Sequence, residues 1–305
     1  MGVESSKIGI KNNFSNELDS SVSDYLSLLK PRVMSLAVFT SVCGLLLAPG
    51  DLHPFLSLTA ILCISVGAGA SGAINMWYDR DIDGVMKRTK NRAIPMGKIE
   101  PNNVLGYGVF LAFTSVIILG LTINYFAAFL LACSIAFYIF IYTIWLKRRT
   151  HHNIVVGGAA GAFPPMIGWA CVTSDLSIFP ILLFLIIFIW TPPHFWALAL
   201  YKDTEYSKVS IPMLPVVHGK KITKLQVMMY SIILNFFSLL PFFMGFSGIY
   251  YLVPSIILNL FFSFYAFSLV KSSAKNNDER ASRLFKYSIL YLYLIFVFFV
   301  VDKFV

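Results

Sequence analysis

The longest runs without Asp, Glu, Lys or Arg are residues 33–50, 52–78, 101–146, 150–174, 176–201, 225–270 and 287–301. In hydrocarbon, every backbone polar group must be satisfied within the segment, so such runs fold as helices. A spanning helix needs about 20 apolar residues. The two 46-residue runs must therefore hold two spans each, with breaks near Asn124-Tyr125 and in the stretch from Ser247 to Pro254. The last run is short, but Lys286 can snorkel to the headgroups. The expectation is an all-α polytopic membrane protein with nine transmembrane helices. A soluble chain is excluded because only 13% of residues are charged, against about 25% in soluble domains. Mean hydropathy is +0.74.

Charge sets the expected orientation. With the N-terminus in the cytoplasm, the inner segments are 1–32, 75–100, 146–153, 201–224 and 271–286. They carry 23 of the 24 Lys and Arg residues, and only Lys303 falls outside. Twelve of the fifteen acids also lie inside. This bias is the positive-inside rule. It places the C-terminus outside and makes the lipid bilayer the first partner. Topology and anionic lipid contact account for the pI of 9.3, and no nucleic-acid partner is implied.

Residues 1–24 read as a polar cytoplasmic tail, and 25–305 as a single transmembrane domain. The tail has no signal-peptide core and no Arg-rich transit character, which favours a bacterial inner membrane. Cys43, Cys63, Cys133 and Cys171 all fall in spans without a CxxC pair, and are expected to pack as small apolar residues. Gly157, Gly158 and Gly161 are expected to serve close helix packing.

The inner acids are unevenly placed. Asn75, Asp79 and Asp83 are spaced i, i+4, i+8, so on a helix they stack along one face with a drift of about 40° per step. Carboxylates so close repel unless something positive compensates. Hard oxygen ligands of this kind suit Mg²⁺, which binds through one or two carboxylates plus substrate phosphates. Asp81 falls on the opposite face and is expected to pair with Arg80 or a neighbouring Lys. The plainer account is a solvated acidic cap balanced by Lys87, Arg88, Lys90 and Arg92. A second cluster, Tyr201-Lys202-Asp203-Thr204-Glu205-Tyr206, follows the sixth helix. Asp203 and Glu205 are two apart, so a helix cannot aim both at one point. Each cluster follows the second helix of a four-helix set, which suggests two four-helix units plus a ninth helix. Between them lie Lys147, Arg148 and Arg149, cations able to hold phosphate oxygens and stabilise a leaving diphosphate. Acids, metal and cations beside an apolar bundle describe an enzyme for a diphosphate with a long apolar tail, where aromatic rings shield an allylic cation.

Asn75-xxx-Asp79-xxx-Asp83 followed by Lys87-Arg88-Thr89 resembles the first aspartate motif of the UbiA superfamily of intramembrane prenyltransferases. Further blocks resemble the branch that farnesylates protoheme IX. These are Leu29-Lys30-Pro31-Arg32, Asn75 to Arg92, Trp145 to Thr150 with Asn153, Pro164 to Trp169, Thr191-Pro-Pro-His194 and Ile211 to Pro215. Together they cover roughly residues 25–300.

The resemblance implies that Asn75, Asp79 and Asp83 hold Mg²⁺ and, through it, farnesyl diphosphate. Lys147 and Arg148 match the Lys-Arg pair of the branch. Lys30, Arg88 and Arg92 match basic positions around the phosphates, and Lys202, Glu205 and Tyr206 match the second motif. That branch has Asp-Tyr where this chain has Glu205-Tyr206, so Asp203 stands beside Glu205 as the alternative ligand. The reaction implied joins farnesyl to the 2-vinyl group of heme b, with water addition, giving heme O. Heme b is then a substrate, and heme A synthase or oxidase-assembly proteins are the implied partners. His194 and His152 are candidate heme ligands. The plainer reading of His194 is a packing histidine bonded to carbonyls freed by a kink at Pro192-Pro193. Rival functions are prenylation of an aromatic quinone precursor, membrane transport, and a non-catalytic role in oxidase assembly.

Overall fold

The computed structural model describes residues 20–202, 211–273 and 276–305, and every regular element among them is helical. The helices are α1 (Val22–Leu28), α2 (Pro31–Leu47), α3 (Pro54–Tyr78), α4 (Arg80–Val85), α5 (Pro101–Thr122), α6 (Tyr125–Ala136), α7 (Asn153–Thr173), α8 (Ile178–Tyr201), α9 (Leu214–Val217), α10 (Gly219–Phe243), α11 (Ile249–Val270) and α12 (Asn277–Phe304). A π-helical segment, Phe137–Leu146, continues α6 without a break. Eight spans are long and apolar enough to cross a membrane. The seventeen-residue α2 makes a ninth only if it is taken together with α1, from which it is bent by 56°.

Local chemistry sets these boundaries. Proline stands at the first turn of α2, α3 and α5, where its missing N–H is no loss and its φ is already helical. The break expected near Asn124 occurs because the Asn124 side chain caps α6, accepting from the Ala127 N–H at 2.7 Å. Its amide also donates to the Ala170 carbonyl at 2.9 Å, tying this turn to the end of α7. The second expected break lies between α10 and α11, where Asp302 accepts from the Tyr251 N–H at 3.0 Å and caps α11. Lys303, the one cation outside the basic segments, donates to the Leu46 and Ala48 carbonyls at 2.8 Å each. It caps the C-terminal end of α2, where a positive charge is favoured.

The buried apolar residues form two main clusters. The larger joins α2, α7, α8, α10, α11 and α12, and the smaller joins α3, α5, α6 and α7. The division therefore does not follow chain order as four helices plus four. α2, first in sequence, contributes Cys43 and Leu47 to the later cluster, and α7 joins both. Lipid tails are as apolar as leucine, so helices associate here by close packing of small residues. At the α2–α7 crossing, a Cβ on Gly168 would lie 2.0 Å from the Ser41 carbonyl oxygen, and one on Gly44 would lie 2.1 Å from the Pro165 oxygen. Gly157 meets Tyr142 and Gly158 meets Thr191 as close contacts, but Gly161 faces open space, contrary to expectation.

α8 runs helically through Pro192 and Pro193. His194 is buried, and its Nδ1 lies 2.7 Å from Ser288 Oγ on α12. Trp190 donates through Nε1 to the Ser288 carbonyl at 2.8 Å. The partner of His194 is thus a hydroxyl from another helix, not the carbonyls of its own.

Gly168→Ala should destabilise the fold by about 1–3 kcal/mol, because a methyl group must push two backbones apart. Gly161→Ala should cost nothing. Unfolding midpoints in detergent would compare the two, and equal midpoints would refute the close-crossing account.

Candidate active site

The polar residues that the sequence brings together meet at the ends of α3, the π segment and α4. Asp79 caps α3 with φ −91° and ψ 11°, and α4 begins at the next residue. The Asp79 N–H still bonds to the Asn75 carbonyl at 2.9 Å, and that of Asp83 to the Asp79 carbonyl at 2.9 Å. Asn75, Asp79 and Asp83 therefore keep their helical stacking, and all three are buried, Asp79 to 1% exposure.

A carboxylate so deep must be paired. Asp79 Oδ2 accepts from Asn75 Nδ2 at 2.8 Å and from Lys147 Nζ. Its Oδ1 lies 3.3 Å from Arg148 Nη2. Asp83 pairs with Arg92 at 2.6 Å, while Thr89 donates to the Asp83 carbonyl at 2.9 Å. Among the described residues, Asp81 pairs neither with Arg80 nor with a lysine. Arg148 grips it with two bonds of 2.8 and 2.7 Å, and this holds the Asp81 carboxyl below the usual range. Arg80 turns away to the Trp77 carbonyl at 2.7 Å. Arg148 also lies 4.9 Å above the Tyr78 ring.

Lys30 enters from the break between α1 and α2. Its backbone is left-handed, with φ 51° and ψ 52°, which is rare outside glycine and typical of functional sites. Its Nζ donates to Asn75 Oδ1 at 3.1 Å. Burial, then the charges of Arg92 and Lys147, push the Lys30 ammonium down to about 7. A cavity of about 320 Å³ opens here, lined by Lys30, Asn91, Arg92, Lys98 and Asp24 among others. Lys98 and Asp24 pair across it at 3.0 Å.

Two further residues complete the site: Thr143, which the sequence did not single out, and Asn153, which it named only within a block of resemblance and without a role. Thr143, fully buried, accepts from Asn75 Nδ2 at 3.2 Å. Asn153 donates to the Lys147 carbonyl at 3.1 Å and fixes the turn after the π segment. Thr143 did carry a signal: it is the one aliphatic hydroxyl in the apolar run from Phe137 to Leu146.

Other expected site residues lie elsewhere. Arg88 is exposed and makes no ion pair among the described residues. Lys202 ends α8, with its ammonium 4.6 Å from the Tyr201 ring centroid. Asp203, Glu205 and Tyr206 fall outside the described residues. The flanks of that segment do reach the first motif, since Ala199, Ile211 and Met213 pack with Ile82 and Met86 of the α4 region. His152 is exposed and lies against His151, the ring centroids 4.1 Å apart. His151 in turn faces His218, with the Nε2 atoms 3.3 Å apart. His194 has Trp190 stacked at 4.2 Å and Phe285 at 4.8 Å.

The donor set fits a hard divalent cation brought in with phosphate. Two carboxylates and an amide supply oxygen only, and Mg²⁺ completes its shell with waters and phosphate oxygens. Among the described residues no group of three His, Cys, Asp or Glu side chains could hold a metal without such help. Among the described residues, the buried Arg148 Nε has no acceptor, which is costly unless a ligand supplies one.

These acids and cations gather where the helices of a bundle end, and eight spans of that bundle are long and apolar enough to cross a membrane. Residues 37–290 match the UbiA prenyltransferase family, and the chain belongs to that family, as a multi-pass membrane protein. It is 54% identical to the protoheme IX farnesyltransferase of Parvibaculum lavamentivorans, over 93% of this chain and 89% of the relative. It is 52% identical to that of Rickettsia bellii, over 91% and 92%, and 50% identical to that of Agrobacterium fabrum, over 100% and 93%. The fold resembles a solved digeranylgeranylglyceryl phosphate synthase, with a TM-score of 0.76, 20% identity and coverage of 92% and 98%. It also resembles a UbiA homologue from Archaeoglobus fulgidus bound to DMAPP and Mg²⁺, with a TM-score of 0.67, 15% identity and coverage of 90% and 99%.

Asp79→Ala should lower stability by about 3 kcal/mol or more, since it leaves Lys147 and Arg148 facing each other without their buried partner. Asp81, with an exposed carboxylate, should cost less than about 1 kcal/mol on replacement by Ala. Denaturant titrations would test this order, and equal losses would contradict it.

Proposed function

We propose that this protein transfers a farnesyl group from farnesyl diphosphate to the 2-vinyl group of heme b, with addition of water, giving heme O. The observation that carries the reading is the buried Asn75–Asp79–Asp83 stack bridged to Lys147, Arg148 and Arg92. The relatives at 50–54% identity, each named protoheme IX farnesyltransferase, favour heme over a quinone precursor as acceptor. A transporter or an assembly scaffold has no need for stacked acids and cations at the ends of the helices.

Asn75, Asp79 and Asp83 would hold Mg²⁺, with Glu205 or Asp203 as a further ligand. When bound, Mg²⁺ neutralises the diphosphate and makes it a better leaving group. Lys147 and Arg148, with Lys30 and Arg92 beside the same acids, would donate hydrogen bonds to the phosphate oxygens and stabilise the departing charge, and Arg88, Lys202 and Tyr206 join them on the sequence resemblance alone. The C1–O bond of farnesyl diphosphate breaks and its electron pair leaves with diphosphate. The vinyl π electrons form the new carbon–carbon bond. Water captures the resulting cation beside the porphyrin and releases a proton. No side chain acts as a nucleophile, so the residues contribute orientation and electrostatics. Heme ligation is assigned to neither histidine. His194 is held between two rings and Ser288, and His152 lies exposed against the His151 ring. The basic segments favour a cytoplasmic active site and N-terminus, and a bacterial inner membrane.

Membranes containing the protein, supplied with heme b, farnesyl diphosphate and Mg²⁺, should yield a hydroxyethylfarnesyl heme detectable by mass spectrometry. EDTA or Asp79→Ala should abolish it. Folded protein that modifies no heme would overturn the acceptor, and a quinone precursor would be tried next.

A further inference from the structure

We propose that Thr143 is a positioning residue that fixes the Asn75 amide so that its Oδ1 faces the metal and diphosphate side. The inference rests on the proposed role of Asn75 as a ligand and adds a residue to it.

An asparagine amide can flip, and only its oxygen can ligate a cation. Here the flip is decided by a chain of donors. The Thr143 hydroxyl donates to the Tyr138 carbonyl at 2.8 Å, so its oxygen is free to accept. Asn75 Nδ2 donates to that oxygen at 3.2 Å and to Asp79 Oδ2 at 2.8 Å. Both amide hydrogens are thereby used, and Oδ1 is left on the side of Lys30, whose ammonium reaches it at 3.1 Å. A flipped amide would set Oδ1 against the Asp79 carboxylate and against a hydroxyl whose hydrogen is already given away. The π-helical register supplies the acceptor, because Tyr138 stands five residues before Thr143. π turns inside α-helices are frequent at functional sites. Thr143 is fully buried and lies 68 residues from Asn75 in sequence.

The test compares Thr143→Val, which keeps the shape and loses the hydroxyl, with Thr143→Ser, which keeps the hydroxyl. Thr143→Ala stands in if the valine variant does not fold. The readout is farnesyl diphosphate binding by calorimetry in detergent, titrated with Mg²⁺, with an unfolding midpoint recorded for each variant. Removing a partner that orients a ligand costs about 10-fold or more in metal affinity. The Mg²⁺ concentration for half-maximal binding should therefore rise about 10-fold in Thr143→Val and return to near wild type in Thr143→Ser. In an Asn75→Ala background, Thr143→Val should add no further shift. A Mg²⁺ midpoint unchanged in folded Thr143→Val or Thr143→Ala would overturn the proposal. So would a full additional shift in the Asn75→Ala background. Wild-type binding that ignores Mg²⁺ would instead remove the metal reading of the site itself, and the role of Thr143 with it.

Discussion

The Asp79 carboxylate is the charge around which this site is built. At 1% exposure it cannot stand unpaired, because an isolated buried charge costs several kcal/mol even after relaxation. Its partners come from different parts of the chain. Asn75 lies one turn back on α3, and Lys147 and Arg148 follow the π segment. Arg148 extends the set to Asp81, and Asn75 extends it to Lys30 and Thr143. One carboxylate thus ties the end of α3 to the turn after the π segment and, through Asn75, to the π segment itself and to the break between α1 and α2. The left-handed Lys30 is the clearest case: that backbone is disfavoured for any residue with a Cβ, and its side chain ends on the amide that bonds to Asp79.

The bundle away from the site obeys a different constraint. There is no water-driven collapse between helices in lipid, so contact must come from shape and from internal hydrogen bonds. Gly44 and Gly168 let α2 and α7 touch backbone to backbone. Hydroxyls in the helices bond to their own carbonyls, as Ser41 does to Val38 at 2.7 Å and Ser231 to Val227 at 2.7 Å. Polar ties also cross between helices. Tyr291 donates to Asn259 Oδ1 at 2.7 Å, and Asn259 donates to Ser238 at 2.8 Å.

Much of this was legible in the residues. Charge-free runs mark spans because the cost of a charge in hydrocarbon is large and local. The stacking of Asn75, Asp79 and Asp83 follows from helical periodicity alone. The end of the span at Asn124 follows from capping chemistry. The parts that were not legible depend on tertiary context. Nothing in the run from Phe137 to Leu146 announces a π register, which is chosen by what Thr143 and Lys147 must reach. The partner of Asp81 is 67 residues away, beyond any local rule. Lys303 looks like an exception to the charge bias until the end of α2 is seen beside it. α2 joins the later helices because its small residues match those of α7, a complementarity that a single helix does not display. Residues 203–210, where the second motif lies, are outside the described structure, so that motif rests on the sequence resemblance.

The pairing of acids with cations has a further consequence on the proposed reading. Lys147 and Arg148 cannot turn wholly to an incoming diphosphate while they neutralise Asp79. Nor can a metal take the Asp79 oxygens while both remain crowded by cations. Each exchange makes the other cheaper: the diphosphate draws the cations outward, and the metal replaces them at the carboxylate. Diphosphate and metal should therefore bind with positive coupling, and by thermodynamic linkage each must strengthen the other by the same factor. A site arranged in this way stays closed on its own ion pairs until both arrive. The same reserve of charge then faces the diphosphate as it leaves, when a negative charge develops beside Lys147 and Arg148, whose Nε has no partner among the described residues.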